Sequence, residues 1–449
     1  MANGYFFSLK ERGGLPTTFC PLLWSKITID PSGKLKACCS SKCFVNEDGE
    51  NLRIERGEGL DQYWNHPSVC QARKAMMAGE WPKECYYCRY QEENGVMSKR
   101  KGQIYYWAEI MKVDPIALLA ATDGEGRIDL PPVAVDARLS HVCNLTCVMC
   151  TPEFSTSWKS VFKKLMESPW PGPTRRPSYL KHTEIIEGGT PKWGDDPSVV
   201  EWFRDHARQL REIQFAGGEP LLFKNHDKIL DTLIDSGDAG HITLDYNTNA
   251  TQITNETLER WSHFENLDLQ LSVDGVGEQF EYIRTPAKWQ RIEEVVQLLL
   301  SWNRNPWRWR FAYTVQILSV AEIPRFLNWL EGLGEKWMET PLHTRIHWNV
   351  VGTPTGISVA SLPAGVQQEV LALVDQYLGD LEKRNSRLAN ESSLKNLPGI
   401  LRAAFKGGRG QGSSSLDETI HYLNLLDDIH DKRWRQTFPW LSERLPVRS

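Results

Sequence analysis

Short apolar runs alternate with stretches of helical periodicity from Pro131 onward. This alternation is typical of βα units that build a parallel sheet. The predicted strands cover 133–139, 212–215, 242–246, 267–273, 311–317 and 345–351. The predicted helices between them cover 196–208, 226–236, 255–264, 289–302 and 321–333. Six strands with intervening helices predict an α/β fold of the partial (β/α)6 barrel type, although a doubly wound open sheet would give a similar pattern.

The first hundred residues follow a different pattern, with seven cysteines and turn signals such as Asp30-Pro31-Ser32-Gly33. This pattern predicts a small, loop-rich domain that is held together by metal. We expect such a domain over 1–101, a linker over 102–130, the barrel over 131–355 and a helical extension over 356–449. Within the extension, helical patterns cover 366–383 and 416–430, and a Gly- and Ser-rich loop separates them at 406–415.

Composition narrows the class of protein. The chain has 449 residues, a formal net charge of −5, and hydrophobic and charged contents of 41% and 24%, as expected of a globular protein with two or three domains. The slight acidity disfavours nucleic acid as a partner. No apolar run is long enough to span a membrane and the N-terminus lacks a signal-peptide pattern, so a cytoplasmic location is expected. In that reducing compartment the ten cysteines, all between Cys20 and Cys150, indicate metal binding rather than disulfides.

Three cysteines, Cys143, Cys147 and Cys150, follow the first of these six strands directly. Three thiolates on one loop can hold three irons of a [4Fe–4S] cube, which leaves the fourth iron without a protein ligand. An open iron can chelate the amine and carboxylate of a bound molecule and pass it an electron. A structural zinc site would need a fourth ligand, and only His141 lies nearby in the sequence.

The C-x3-C-x2-C spacing and the Cys143-Asn144-x-x-Cys147 sequence resemble the radical S-adenosylmethionine (radical SAM) superfamily. Further resemblances fall at successive strand ends over roughly 131–355: Gly217-Gly218-Glu219-Pro220, which looks like the GGEP motif of that family, the Asn249 strand end, Ser272-Val273-Asp274-Gly275, Tyr282-Ile283-Arg284 and Val350-Val351-Gly352. The last of these matches the family poorly. Each segment taken singly could equally be an ordinary strand-end turn, but their order along the chain agrees with the family.

The resemblance implies a set of S-adenosylmethionine-binding residues: Met149, Gly217, Gly218, Glu219, Pro220, Asn249, Ser272, Asp274, Arg284 and Val351. Glu219 would bind the ammonium group of the methionine part. Arg284 would clamp its carboxylate through a two-pronged ion pair. Asp245, Tyr246, His347 and Asn349 lie on predicted strands near the expected pocket, but each is as well explained by a structural role, so no catalytic base is assigned.

A second cysteine set precedes the barrel. Cys20, Gly33 and Cys38 follow a C-x12-G-x4-C pattern, and Cys85 and Cys88 form C-x2-C. These four cysteines resemble the ligands of the twitch domain, a shortened relative of the SPASM domain, which carries one auxiliary [4Fe–4S] cluster. The alternating residues 26–30 and the return at 34–37 predict a hairpin that brings its two flanking cysteines to one end.

The residues around this set also look like SPASM sequence: the run Trp81-Pro82-Lys83-Glu84-Cys85, then Glu92, Gly95, Ser98 and Arg100. One departure is that the family usually carries this domain after the barrel, whereas here it comes first. Cys39 could replace its neighbour as a ligand, and the roles of Cys43 and Cys70 stay open. A zinc ribbon built from the same four cysteines is the rival interpretation.

The resemblance implies reductive cleavage of S-adenosylmethionine to a 5′-deoxyadenosyl radical that takes hydrogen from a substrate, with electrons from a donor such as flavodoxin or ferredoxin. An auxiliary cluster suits oxidation of the substrate radical or binding of the substrate. The leading hypothesis is an enzyme that oxidises or cross-links a peptide or protein. The alternatives are a radical SAM dehydrogenase or epimerase with a small-molecule substrate and, in another class, a non-catalytic iron–sulfur or zinc protein.

Overall fold

The computed structural model describes residues 14–54, 60–93, 97–169, 192–302, 308–334, 337, 345–352, 354–406 and 415–446. Its strands are β1 (Lys26–Ile29), β2 (Leu35–Lys36), β3 (Ala134–Ala137), β4 (Glu212–Phe215), β5 (Thr243–Thr248), β6 (Asn266–Ser272), β7 (Arg308–Val315) and β8 (Ile346–Val350). They follow the order β2-β1-β3-β4-β5-β6-β7-β8 in an eight-stranded, mostly parallel sheet. The predicted α/β class is confirmed. Three features of the sequence lie outside the described residues: the SPASM-like Gly95, the proline-rich Pro171-Gly172-Pro173, and most of the Gly- and Ser-rich loop, 407–414.

The chain divides into two compact units. The first comprises Met1–Ser140, Pro191–Leu244 and His263–Glu265. Its helices are α1 (Leu22–Ser25), α2 (Asp61–Trp64), α3 (Pro67–Met77), α4 (Tyr86–Glu93), α5 (Lys99–Tyr105), α6 (Pro115–Ala120), α8 (Pro197–His206) and α9 (His226–Asp235). The second comprises His141–Thr190, Asp245–Ser262 and Asn266–Ser449. Its helices are α7 (Trp158–Glu167), α10 (Asn255–Trp261), α11 (Glu278–Ile283), α12 (Trp289–Ser301), α13 (Ile323–Gly332), α14 (Ala364–Lys383), α15 (Ser392–Phe405), α16 (Leu416–His430), α17 (Trp434–Thr437) and α18 (Pro439–Arg444).

In the first unit the N-terminal hairpin joins the main sheet. Strand β1 runs antiparallel to β2, with Thr28 opposite Lys36, as the alternating sequence predicted. The same strand also pairs in parallel with β3, where Lys26 lies opposite Ala134, and β3 pairs in parallel with β4. This pairing places the hairpin in one sheet with strands far along the chain. A small separate domain over 1–101 stays a prediction.

In the second unit β6, β7 and β8 are parallel neighbours. The leucines at alternate positions of β6, Leu267, Leu269 and Leu271, are buried, and helices α12 and α13 bury their own apolar faces. This is the pattern of a sheet face covered by helices, in which alternate strand residues point to opposite sides. The helical extension predicted after 356 is confirmed by α14 to α18.

None of the described helices combines the length and the apolar composition that crossing a bilayer requires.

Candidate functional site

The loop from Cys143 to Cys150 is fixed by hydrogen bonds from several neighbouring segments. Side chains at the start of α7 and just before it donate to its carbonyl oxygens: Ser157 Oγ to Cys143 at 2.7 Å, Ser155 Oγ to Leu145 at 2.7 Å, and Trp158 Nε1 to Cys147 at 2.8 Å. Its amides donate in turn to the segment after α11, Thr146 to the carbonyl of Thr285 at 2.6 Å and Val148 to that of Ile283 at 2.9 Å. The loop is therefore held in shape by the protein itself.

Two of the three thiols of this loop, those of Cys147 and Cys150, are unfavourable as free thiolates. Burial, followed by the neighbouring Cys143 thiol, raises the pKa of Cys147 to about 12, although Arg284 opposes the shift. Burial and then the Cys147 thiol raise the pKa of Cys150 well above its ordinary value. Metal ligands must be deprotonated, so this set needs a cation to exist as thiolates. The donor chemistry therefore fits an iron–sulfur cluster.

Asn249 lies at the loop, where the sequence placed a cofactor-binding residue. Its Nδ2 donates to Asn144 Oδ1 at 2.9 Å and lies 3.9 Å from the Cys143 sulfur. Thr251 completes the arrangement, because its hydroxyl donates to Asn249 Oδ1 at 2.7 Å and accepts from Asn144 Nδ2 at 2.9 Å. The asparagine after the first cysteine thus has a physical role, which is to tie the loop to the end of β5.

Arg284 also reaches the loop. Its Nη1 lies 3.8 Å from the Cys147 sulfur, and its Nη2 lies 2.6 Å from Asp274 Oδ2. Burial disfavours its charge, but Asp274 outweighs burial and raises the pKa of Arg284 above its ordinary value. The other carboxylate oxygen accepts from the Thr314 amide at 2.6 Å. The Arg284 Nε–H is buried and has no hydrogen-bond partner among the described residues, so it is available to an acceptor such as a carboxylate.

The glycine pair lies in the first unit, directly after β4. Gly217 has φ +118°, and a Cβ added there would lie 2.7 Å from the carbonyl oxygen of Ser140. The amide of Gly218 donates to that same oxygen at 3.2 Å. Glu219 is fully buried, and one of its oxygens accepts from the Leu221 amide at 3.4 Å. The turn thus requires glycine because the Ser140 carbonyl approaches closely, and Pro220 opens the short 3₁₀ helix that follows.

The remaining predicted residues have fewer distinguishing contacts. Met149 and Ser272 are half-buried, and the second of them ends β6. Val351 is buried after β8, and its amide donates to the carbonyl of Val315 at 3.1 Å. Tyr246 is fully buried against the ring of Trp261, which is a structural position. His347 is exposed, while Asp245 and Asn349 are half-buried on their strands.

The second cysteine set lines one cavity in the first unit. Its walls include Cys20, Cys38, Cys85 and Cys88 together with Met76, Trp81, Lys99 and Arg100. Burial, then the Cys38 thiol, raises the pKa of Cys20 to about 12. Burial, then the Cys20 thiol, raises that of Cys85. The four predicted ligands are thus brought together, and Cys20 and Cys85 need a cation to be held as thiolates.

Of the flanking residues taken from the sequence, Trp81 and Arg100 line this cavity. Arg100 forms a buried ion pair with Glu92 at 2.6 Å and donates from Nη1 to the carbonyl oxygen of Phe19 at 2.8 Å, next to the first cysteine. Ser98 Oγ donates to the same glutamate at 2.5 Å. These contacts fix the segment that carries Cys20.

The other cysteines of this unit occupy different surroundings. Cys39 does not line the cavity; its sulfur lies 2.7 Å from Lys99 Nζ. Burial opposes ionisation of Cys39, but Lys99 outweighs it and lowers the pKa. Cys70 donates to the carbonyl of Asn65 at 3.4 Å, and Cys43 forms an isolated bridge with Lys36. Only Cys38 of the adjacent pair therefore lies in the cavity wall.

The spacing of the thiols bears on the choice between zinc and an iron–sulfur cube. A single tetrahedral zinc ion with Zn–S bonds of about 2.3 Å brings its sulfurs within about 4 Å of one another. Among the described residues, no three Cys, His, Asp or Glu side chains converge in a way that would hold one metal ion. A cube takes one thiolate for each iron, so its cysteines surround a larger volume.

Comparison with known proteins agrees with the loop and its surroundings. Residues 138–330, which include the cysteine loop, match the family model of the Radical SAM superfamily. That class implies a [4Fe–4S] cluster and S-adenosylmethionine as cofactors, and the thiols and the buried Arg284 Nε–H described above fit both groups. A search among curated proteins finds no match.

Two solved structures show remote similarity. Streptococcus suis SuiB bound to S-adenosylmethionine shares 11% identity, with a TM-score of 0.29 over 64% of this chain and 57% of that chain. Streptococcus suis SuiB bound to the precursor peptide SuiA shares 11% identity, with a TM-score of 0.32 over 75% of this chain and 66% of that chain. This chain therefore spans less than two thirds of the length of either.

Several site residues could not be assigned from the sequence. Asn144 lies inside the Cys143-Asn144-x-x-Cys147 sequence, and its place in that motif is the signal that could have identified it. Thr251 lies two residues after Asn249, and its hydroxyl could have been suspected only from that proximity. Trp158 and Tyr422 donate to loop carbonyls from separate helices, and no local sequence pattern marks either of them.

Proposed function

We propose that this protein is a radical SAM enzyme with an auxiliary [4Fe–4S] cluster that oxidises or cross-links a peptide or protein. The observation that carries the proposal is the contact of Asn249 and Arg284 with the cysteine loop inside the matched domain. The loop supplies three thiolates for the four irons of a cube. The fourth iron is therefore left for the cofactor, which the strand-end residues beside the loop would hold. When bound, the cluster supplies an electron to S-adenosylmethionine, whose cleavage yields the 5′-deoxyadenosyl radical that takes hydrogen from the substrate.

The residues of the chain supply binding and orientation in this proposal. Cys143, Cys147 and Cys150 hold three irons. Arg284 directs its buried Nε–H to the carboxylate of the cofactor while Asp274 keeps its guanidinium oriented. Met149, Asn249, Ser272 and Val351 complete the part of the proposed cofactor site that lies in the second unit. Gly217, Gly218, Glu219 and Pro220 lie in the first unit and keep the roles that the sequence resemblance implies.

The four-cysteine cavity supports the auxiliary cluster. Lys99 and Arg100 in its wall bring positive charge beside the four cysteines, which would favour their thiolate form. Cys20, Cys38, Cys85 and Cys88 are the proposed ligands. A second cluster in the same chain could accept the electron that oxidation of a substrate radical releases, which is why we place the reaction among oxidations and cross-links rather than hydrogen-return reactions.

Formation of 5′-deoxyadenosine tests the enzymatic part. Anaerobically reconstituted, reduced protein should release it from S-adenosylmethionine, as measured by mass spectrometry, and Cys150→Ala should abolish the release. Cys70→Ala is the matched control, because that thiol bonds a backbone carbonyl and should leave the release unchanged. Wild-type protein with a full iron complement and no 5′-deoxyadenosine would contradict the proposal and favour a non-catalytic iron–sulfur protein.

Iron counting tests the auxiliary cluster separately. Two cubes require about eight irons per chain, whereas one cube and a zinc ion require about four. We expect Cys88→Ala to lower the count by about four and Cys70→Ala to leave it unchanged. Zinc in place of the second set of irons would contradict the auxiliary cluster without touching the first one.

The substrate class is tested with peptides encoded beside the gene. After anaerobic turnover, a loss of two hydrogens from such a peptide is the expected mass change for an oxidation or a cross-link. Turnover of a small alcohol or amino acid in place of every peptide would favour the dehydrogenase or epimerase alternative.

A further inference from the structure

The C-terminal helix α16 contacts the cysteine loop directly, although it lies outside the matched radical SAM domain. The hydroxyl of Tyr422, a residue with no solvent exposure, donates to the carbonyl oxygen of Val148 at 3.2 Å. Val148 stands between the second and third cysteines of the loop. A residue 274 positions away in the chain therefore holds the backbone on which two of the cluster ligands depend.

The same peptide segment is held from its other side. The Val148 amide donates to the carbonyl oxygen of Ile283 at 2.9 Å, so both backbone polar groups of this residue are paired with other elements. Ile283 immediately precedes Arg284, the residue whose guanidinium lies beside the Cys147 sulfur. The loop and the arginine segment are thus linked at Val148, and Tyr422 acts at that link.

Helix α16 also holds the arginine segment. The Tyr282 hydroxyl donates to Asp427 Oδ1 at 2.7 Å, and Asp427 is buried five residues after Tyr422 on the same helix. The Trp434 amide donates to both oxygens of this carboxylate, at 2.9 and 3.0 Å, which fixes its orientation. The hydrogen bonds therefore form a closed circuit. Val148 bonds Ile283, the adjacent Tyr282 bonds Asp427 of α16, and Tyr422 of the same helix bonds Val148.

A further contact follows the end of α16. Lys432 Nζ donates to Thr285 Oγ1 at 2.6 Å and to the carbonyl of Glu281. The carbonyl of Thr285 accepts from the amide of Thr146 at 2.6 Å, again within the cysteine loop. Lys432 therefore holds the Arg284 segment at a second point, and that segment in turn bonds the cysteine loop.

We propose that helix α16 positions the cysteine loop and the Arg284 segment for S-adenosylmethionine, with Tyr422 and Asp427 as positioning residues. This inference rests on the proposed function, because it assigns the helix to that same cofactor site. Groups that bond the backbone behind metal ligands fix the geometry of those ligands and thereby tune the site. The C-terminal extension is accordingly a part of the cofactor site and not an appended domain.

The test uses the full-length, anaerobically reconstituted protein and its Tyr422→Phe variant, which loses only the hydroxyl. The dissociation constant of S-adenosylmethionine is measured from the change that the cofactor causes in the electron paramagnetic resonance spectrum of the reduced cluster. We expect an about five-fold or larger rise, because the buried Val148 carbonyl is left without a donor and the loop shifts. Tyr282→Phe breaks the circuit at its second step and should shift the constant in the same direction by a smaller factor.

Tyr63→Phe is the matched control. That buried hydroxyl also donates to a backbone carbonyl, the one of Arg53 at 2.7 Å, but in the first unit. The control should lower the melting temperature and leave the spectrum and the dissociation constant unchanged. A Tyr422→Phe variant that behaves like this control would overturn the inference. Wild-type protein whose spectrum does not respond to S-adenosylmethionine would instead contradict the proposed function, so the two failures are distinguishable.

Discussion

Arg284 and Asp274 form an ion pair of 2.6 Å in which their side chains are only 10% and 0% exposed. A buried pair of this kind is costly to break, because removal of one partner leaves the other charge without compensation. The pair also lies next to the cysteine loop, since the same guanidinium approaches the Cys147 sulfur. It therefore couples the stability of the second unit to the geometry of the cofactor site.

The first prediction follows from that burial. Asp274→Asn keeps an acceptor for the Thr314 amide but leaves the guanidinium unpaired, so the free energy of unfolding should fall by about 3 kcal/mol or more. The control is Asp375→Asn, which breaks an ion pair with Arg402 at 3.5 Å between half-exposed side chains and should cost less than about 1 kcal/mol. Denaturant unfolding measures both. Equal losses in the two variants would contradict the role assigned to burial.

A second prediction concerns the turn after β4. Gly217→Ala places a methyl group 2.7 Å from the Ser140 carbonyl in a backbone conformation with positive φ, so both strain and a clash arise. Gly237→Ala is the matched control, because its φ is +80° and no atom lies within 4 Å of the added Cβ. We expect about 1 kcal/mol of destabilisation from φ alone in the control and clearly more at Gly217. Comparable losses would mean that the close approach to Ser140 relaxes freely.

A third prediction concerns pH. Burial, then the Lys432 and Lys164 charges, lowers the pKa of His430 to about 4, below its ordinary value near 6.5. The unfolded chain binds this proton first, so stability is present above pH 6.5 and is lost as pH falls toward 4. Allowing for solvent screening of a half-buried ring, we expect wild-type protein to lose about 1 kcal/mol more than His430→Gln between pH 7 and pH 5.

Unfolding in denaturant at the two pH values measures this difference. His263→Gln, a substitution at an exposed position, serves as the control and should keep the pH dependence of the wild type. If His430→Gln and wild-type protein lost the same free energy over this range, the assignment to His430 would be wrong.

Local patterning predicted the strands and helices of the fold well. Each predicted strand and helix within the described residues lies within three residues of its observed ends, because alternation and helical periodicity depend on neighbours in sequence. The parallel pairing of Lys26 with Ala134 was missed, because β1 and β3 are joined by about a hundred residues that carry no pairing signal. The domain boundaries drawn from composition stay predictions.

The candidate site was predictable where chemistry and sequence spacing coincide. The contact of Asn249 with the cysteine loop and the strained turn at Gly217 agree with the residues chosen from the sequence. The choice between Cys38 and Cys39 was not predictable, because adjacent residues differ only in the direction that each side chain takes. The donation from Tyr422 to Val148 was equally inaccessible, since long-range contacts depend on packing and not on a motif.

The central claim is that Cys143, Cys147 and Cys150 hold a cube whose fourth iron binds S-adenosylmethionine. Electron–nuclear double resonance on the reduced protein with cofactor labelled by 15N in the amino group and 17O in the carboxylate tests it most directly. We predict that both nuclei couple to the cluster and that both couplings vanish in Cys143→Ala. A reduced cluster that shows neither coupling in the presence of saturating cofactor would contradict the account.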